Sequence, residues 1–171
     1  MIKWRKINEN DKSILNGWHM SLKNSSVGED AISKYVTSTD CLLGDVMCEI
    51  AGEKSSNNKK TNCYVAVKDN SAVGVVLASS KENVADIEAI VVNPKLAGKG
   101  VGTKMIKSIN DKSHKLFGKG VNTITAKVEA GNIASEKAFE KSGYISSSVK
   151  GVGSKKYNQF TKKLEHVKDV D

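Results

Sequence analysis

The sequence predicts an α/β fold built on a mixed, mostly antiparallel sheet flanked by helices. Three observations carry that expectation. Apolar residues recur at helical spacing up to residue 52 and switch to strand-like runs after residue 62. Two of those runs, Cys63 to Lys68 and Ala72 to Ala78, are separated only by Asp69-Asn70-Ser71, a hairpin turn that makes them antiparallel. The run Ala85 to Val92 is followed by a glycine-dense turn, a helical stretch and a further run, Val121 to Val128. A helix crossing between two strands lets them lie parallel.

Taken in order, Ile2 to Ile7 reads as a short strand. Asp11 is placed to cap a helix on which Ile14, Leu15, Trp18 and Leu22 share a face. Glu29 to Val36 reads as a second helix, and Leu42, Leu43, Val46, Met47 and Ile50 mark an amphipathic third. Gly52 to Asn62 is polar and reads as a surface loop. Ser79 to Asn83 reads as the connection into the third strand run. Asn93-Pro94 ends that run, since proline has no N–H for the ladder. A helix from Gly100 to Phe117 then buries Val101, Met105, Ile106, Ile109 and Leu116, and Gly118 stops it. A last helix, Ile133 to Ser142, is stopped by Gly143, and Tyr144 to Val149 and Tyr157 to Leu164 form a final strand pair. These elements make a single domain over residues 1–165, with 166–171 expected to fray.

Composition narrows the class. No apolar run is long enough to span a bilayer, and the first residues lack the apolar stretch of a signal peptide, so the chain is expected in the cytoplasm and away from membranes. Three cysteines without a CxxC pair suit neither a disulfide framework nor a zinc site, and no metal site is expected. Cys41 and Cys48, seven apart in an apolar segment, read as buried small hydrophobes on one helix face. The net charge of +8 is concentrated late: residues 86–171 hold 16 lysines against nine carboxylates. Such a half attracts a polyanion, a phosphorylated cofactor included. Arg5 is the only arginine, however, and guanidinium groups are what read guanine and phosphate bidentately, so nucleic acid is disfavoured as a partner.

The turn Gly98-Lys99-Gly100-Val101-Gly102 sits between a strand and a helix. Helix N-termini offer unpaired N–H groups and a favourable dipole for anions, and glycines let a phosphate approach the backbone. It is not a P-loop: with Gly102 as the second glycine, Ala97 and Thr103 would occupy the fixed Gly and Lys positions. It is not a dinucleotide fingerprint either, because the last glycine would be Thr103 or Met105.

The segment Val91-Val92-Asn93-Pro94-Lys95-Leu96-Ala97-Gly98-Lys99-Gly100-Val101-Gly102-Thr103 resembles the acetyl-coenzyme A motif of the GNAT superfamily of N-acetyltransferases, written [Q/R]-x-x-G-x-[G/A]. Glu129 to Tyr144 resembles that family's following segment, N-x-x-A-x-x-x-[Y/F]-x-x-x-G-[F/Y], through Asn132, Ser135, Phe139, Gly143 and Tyr144. The resemblance covers residues 85–145. It implies a GNAT-like sheet whose two parallel strands splay at the coenzyme. It further implies coenzyme contacts at Val91, Val92, Gly98, Lys99, Gly100, Val101, Gly102, Thr103, Asn132, Ser135 and Phe139. Main-chain groups of Ile90 to Val92 would polarise the acetyl carbonyl. Ser135 stands at the pattern's alanine, and two further positions bear on the chemistry. Ala97 replaces the family's Gln or Arg, and Phe139 stands where many members have a tyrosine that protonates the departing thiolate.

Direct acetyl transfer needs a base, because an alkylammonium with a pKa of about 10.4 is protonated at neutral pH. Asp86 and Glu88 lie two apart on the strand entering the glycine turn, so they share a face; the resemblance implies a carboxylate base in this strand region, with Asp86 the first candidate and Glu88 the second. Asn132 reads equally as a helix cap. The expected activity is acetyl transfer from acetyl-coenzyme A to an amine of a small molecule or protein, by a monomer or a homodimer. The alternatives are a coenzyme-binding module without turnover and an RNA-directed acetyltransferase.

Overall fold

Seven strands form one sheet in the computed structural model, which describes residues 1–18, 42–52, 59–150 and 156–165. In chain order they are β1 (Lys3–Lys6), β2 (Lys60–Lys68), β3 (Ser71–Lys81), β4 (Val84–Val92), β5 (Thr123–Glu129), β6 (Ile145–Lys150) and β7 (Lys156–Lys163). Their order across the sheet is β1-β2-β3-β4-β5-β7-β6, and every neighbouring pair is antiparallel except β4 and β5. The helices are α1 (Asp11–Trp18), α2 (Leu43–Gly52), α3 (Val101–Asp111), α4 (Ser113–Phe117) and α5 (Ile133–Lys141). The fold class is the one the sequence predicts. Leu22, the helix expected at Glu29 to Val36, Cys41 and the tail from residue 166 lie outside the described residues.

Both hairpins around β3 close on two residues. Asp69 and Asn70 adopt φ values of 51° and 63°, the left-handed pair whose twist matches that of the flanking strands. The second turn, Glu82-Asn83, corrects the expected Ser79–Asn83 connection: β3 continues to Lys81. Ser79 and Ser80 look like a loop in composition, but cross-strand pairing with Thr61 and Lys60 keeps them in the ladder. The loop expected to reach Asn62 likewise ends early, with β2 beginning at Lys60. The helix expected from Gly100 to Phe117 is divided at Lys112 into α3 and α4, and Tyr64 Oη donates to the Leu116 carbonyl of α4 at 2.8 Å. Cys48 is only half-buried. Of the two cysteines among the described residues, Cys63 is the enclosed one, at 1% exposure, and burial pushes its pKa up to about 12.

The sheet separates two apolar layers. On one face Trp4, Tyr64, Val76, Ile124 and Phe160 pack with Met105, Ile106 and Ile109 of α3 and Phe139 of α5. On the other, Val65, Val75 and Leu77 pack with Leu15 of α1 and Leu43, Met47 and Ile50 of α2. The strand β4 contributes to both in an informative way. Ala85 and Ile87 face the α3 layer, whereas Ala89 and Val91 face the α2 layer. Alternation along a strand has period two, so one extra residue must intervene. The register supplies it: Leu77 pairs Ala89 while Ala78 pairs Ile87, leaving Glu88 in a bulge.

The start of α1 corrects a detail. Asn8, not Asp11, takes the capping position: its side chain accepts the Asn10 N–H at 2.9 Å, and the Asp11 carboxylate reaches back to the Asn8 N–H at 2.8 Å. Asp11 also forms a two-pronged pair with Arg5, both bonds 2.7 Å, which occupies the chain's only arginine. The Arg5 hydrogen bond holds the Asp11 pKa below its ordinary value. Asp11→Ala is therefore expected to cost about 2 kcal/mol in urea unfolding at neutral pH, less than a fully buried pair because Arg5 is partly exposed. A depressed carboxylate stabilises above its unfolded pKa. The gap to wild type should then shrink as pH falls through the ordinary aspartate range toward the folded value, and an acid-independent gap would refute this assignment.

Candidate functional site

The site begins where β4 and β5 part. They pair over four rungs only, from Val84–Thr123 to Ile87–Ala126. Beyond that rung β5 keeps its ladder with β7, through Val128–Asn158 and Glu129–Tyr157. Among the described residues, no strand pairs the β5-facing edge of β4 from Ala89 to Val92. The Glu88 bulge lies at the point of departure and bends β4 away. Ile90 and Val92 pair across to Val76 and Gly74, so their other main-chain edge is turned to the gap.

Because β4 and β5 are parallel, the loops after both strands lie at the same end of the sheet. The loop after β4 turns through a short 3-10 segment, Pro94–Leu96, into Gly98 and Gly100, whose φ values are 77° and 75°. Gly100 caps α3 in the left-handed conformation and, having no side chain, leaves the first helical N–H groups open. A Cβ at Gly98 or Gly100 would meet no heavy atom within 4 Å, so both glycines border open space. A Cβ at Gly102 would come within 3.7 Å of the Val92 side chain, an ordinary contact. Lys95, Lys99 and Lys104 stand exposed around this turn. An anion has room, dipole and charge there, which is the fit a pyrophosphate requires.

The loop after β5 leads into α5, which packs on α3. Asn132 caps α5 by accepting the Ser135 N–H at 3.4 Å and remains exposed with Ile133 and Ala134. Phe139 is placed differently from a cleft-lining ring. It is 4% exposed, with its ring against Tyr144 at 5.0 Å and Phe160 at 5.5 Å. The Tyr144 hydroxyl is also enclosed, donating to Asn110 Oδ1 at 2.7 Å, and burial raises its pKa. Neither aromatic presents an acidic hydrogen to the gap.

Both candidate base carboxylates flank Ser79. Asp86 pairs Ser79 across the ladder, and Glu88 accepts the Ser79 hydroxyl at 3.3 Å. Asp86 Oδ1 also accepts the Thr125 hydroxyl from β5 at 2.8 Å, one rung before the strands part. Burial pushes the Asp86 pKa above its ordinary value. The Thr125 bond opposes that rise and the nearby Glu88 charge adds to it. Glu88, 6% exposed, pairs with Lys59 at 3.1 Å. Sequence reasoning missed Thr125, Ser79 and Lys59. Thr125 and Ser79 become partners only through register, and Lys59 sits in a polar stretch that reads as loop.

Residues 34–144 match the sequence profile of the Acetyltransferase (GNAT) family. No curated protein matches the chain. Among solved structures, the chain is similar to the aminoglycoside acetyltransferase AAC(6')-Ib in complex with coenzyme A, with a TM-score of 0.70 and 16% identity over 95% of each chain. It is similar to spermidine N-acetyltransferase from Vibrio cholerae in complex with CoA and spermine, with a TM-score of 0.67 and 15% identity over 95% of each chain. It is also similar to the ribosomal-protein-S18-alanine N-acetyltransferase from Escherichia coli, with a TM-score of 0.61 and 12% identity, covering 100% of this chain and 99% of that one. At these identities the likeness is one of fold.

Proposed function

Because the chain belongs to the acetyltransferase (GNAT) family, we propose that it transfers acetyl from acetyl-coenzyme A directly to an amine of a small molecule or protein, as a single cytoplasmic domain. The observation that supports this most is a coincidence of three features. Along the single strand β4 lie the two desolvated carboxylates where β5 parts from it, the edge from Ala89 to Val92 that no strand covers among the described residues, and, at its end, the glycine turn with no side-chain cap. The turn from Gly98 to Thr103 receives the pyrophosphate on the open N–H groups at the start of α3, with Lys99, whose own N–H donates to the Leu96 carbonyl, as counter-charge. Main-chain groups of Ile90, Val91 and Val92 follow the pantetheine arm and polarise the carbonyl, a role worth about 3 kcal/mol per well-placed donor. Asn132 and Ser135 approach from α5, while Phe139 stays in the core against Tyr144 and Phe160. Bound acetyl-coenzyme A supplies an electrophilic carbonyl and a thiolate leaving group. Asp86 takes the ammonium proton, its raised pKa bringing it nearer the working pH, and Glu88 is the second carboxylate at hand.

Thiol release from acetyl-coenzyme A with a panel of amines, including a polyamine, an aminoglycoside and an N-terminal peptide, tests the reading. Calorimetric binding of coenzyme A without release by any amine would leave a binding module instead. Ala97 supports a graded prediction. It is exposed, so Ala97→Arg disturbs no packing and restores the charged side chain its family prefers. Coenzyme affinity should rise by roughly 1 kcal/mol, about fivefold, and a loss on titration would mean that the loop takes another path.

A further inference from the structure

Lys59 is a lysine that the proposed reaction does not use, yet its ammonium lies 3.1 Å from Glu88 Oε1, beside the bulge where β4 leaves β5. Its exposure is 37%, against 6% for Glu88, so the charged end points inward while part of the stem stays wet. Chemically it is a primary alkylammonium on a desolvated carboxylate next to the gap, which is how an external acceptor amine would have to sit. We infer that Lys59 is a self-acetylation site, modified in cis by the acetyl thioester of coenzyme A held in this same chain. The inference rests on the coenzyme reading above. Lys59 Nζ loses two protons in the reaction. One passes to Glu88 and on to water, freeing the lone pair that attacks the thioester carbonyl. An N–C bond forms as the C–S bond breaks, and the second proton ends on the departing sulfur. The product amide is neutral, so the cation paired with Glu88 disappears and that carboxylate loses its counter-charge.

Lys60 is the internal control. It follows Lys59 directly, is exposed, and as the next residue of an extended chain points to the opposite face. Solution chemistry should mark Lys60 at least as fast as Lys59. Held beside the thioester, Lys59 should instead be acetylated at least about tenfold faster than Lys60, since a positioned nucleophile has a high effective concentration. The experiment incubates the whole chain with acetyl-coenzyme A and maps acetyl groups by peptide mass spectrometry, with coenzyme A binding measured by calorimetry on the same sample. The expected result is Lys59 first, at a first-order rate independent of protein concentration, suppressed by excess coenzyme A and shifted to no other residue in Lys59→Arg. Binding without preference for Lys59, or a rate that scales with protein concentration, overturns the inference and leaves the coenzyme site standing. Absence of coenzyme binding overturns both.

Discussion

Asp86→Asn is expected to slow acetyl transfer by about 10²–10⁴ at neutral pH while leaving coenzyme affinity unchanged. The substitution is conservative in geometry, because an amide oxygen still accepts the Thr125 hydroxyl that the carboxylate accepts at 2.8 Å. Only the proton-accepting charge is removed. The sign of the pH dependence follows from burial, which raises the Asp86 pKa above its ordinary value. Below that raised pKa the residue is protonated and cannot act, so the wild-type rate should climb as pH passes through it, and the variant should lack that limb. Stability moves the other way. A carboxyl with a raised folded pKa favours the native state most when protonated. Its contribution is complete below the unfolded aspartate pKa and is lost as pH rises through the folded one. Asp86→Asn should therefore melt higher than wild type at pH 7, with the advantage vanishing in acid. A variant with full activity would move the base to Glu88, testable as Glu88→Gln, or leave the amine to arrive already neutral.

Gly100→Asp is the second large effect, a loss of coenzyme A affinity of about 100-fold or more, read by calorimetry. A carboxylate there faces the pyrophosphate at the uncapped start of α3, replacing attraction by the helix terminus with like-charge repulsion. The fold should survive. A Cβ at this position meets nothing within 4 Å, Asp is a good helix cap, and a left-handed φ of 75° in a non-glycine residue costs only about 1–2 kcal/mol. A modest drop in melting temperature with lost binding is the expected pair of observations. A folded variant that binds as tightly as wild type would remove the coenzyme from this turn.

The sequence by itself determined the fold class, the strand–glycine turn–helix unit and the two carboxylates on β4. Each of these is written locally, in the apolar period, in residues with special backbone freedom, and in charges two apart. The Asp69-Asn70 turn was legible for the same reason: its residue types tolerate positive φ. Boundaries that depend on a neighbour were not legible. Ser79 and Ser80 stay in β3 because Thr61 and Lys60 pair with them. The division of the helix at Lys112 into α3 and α4 was not legible either. Phe139 could be matched to a motif from the sequence, but its enclosure by Tyr144 and Phe160 depends on how α5 lies on the sheet. Only the tertiary structure decided what each carboxylate touches, because hydrogen-bond partners 39 and 29 residues away, Thr125 for Asp86 and Lys59 for Glu88, are set by strand register. One bulge at Glu88, invisible in a run that reads as plain alternation from Val84 to Ala89, exchanges the faces of β4 and lets the strands part, since an inserted residue reverses every side chain beyond it.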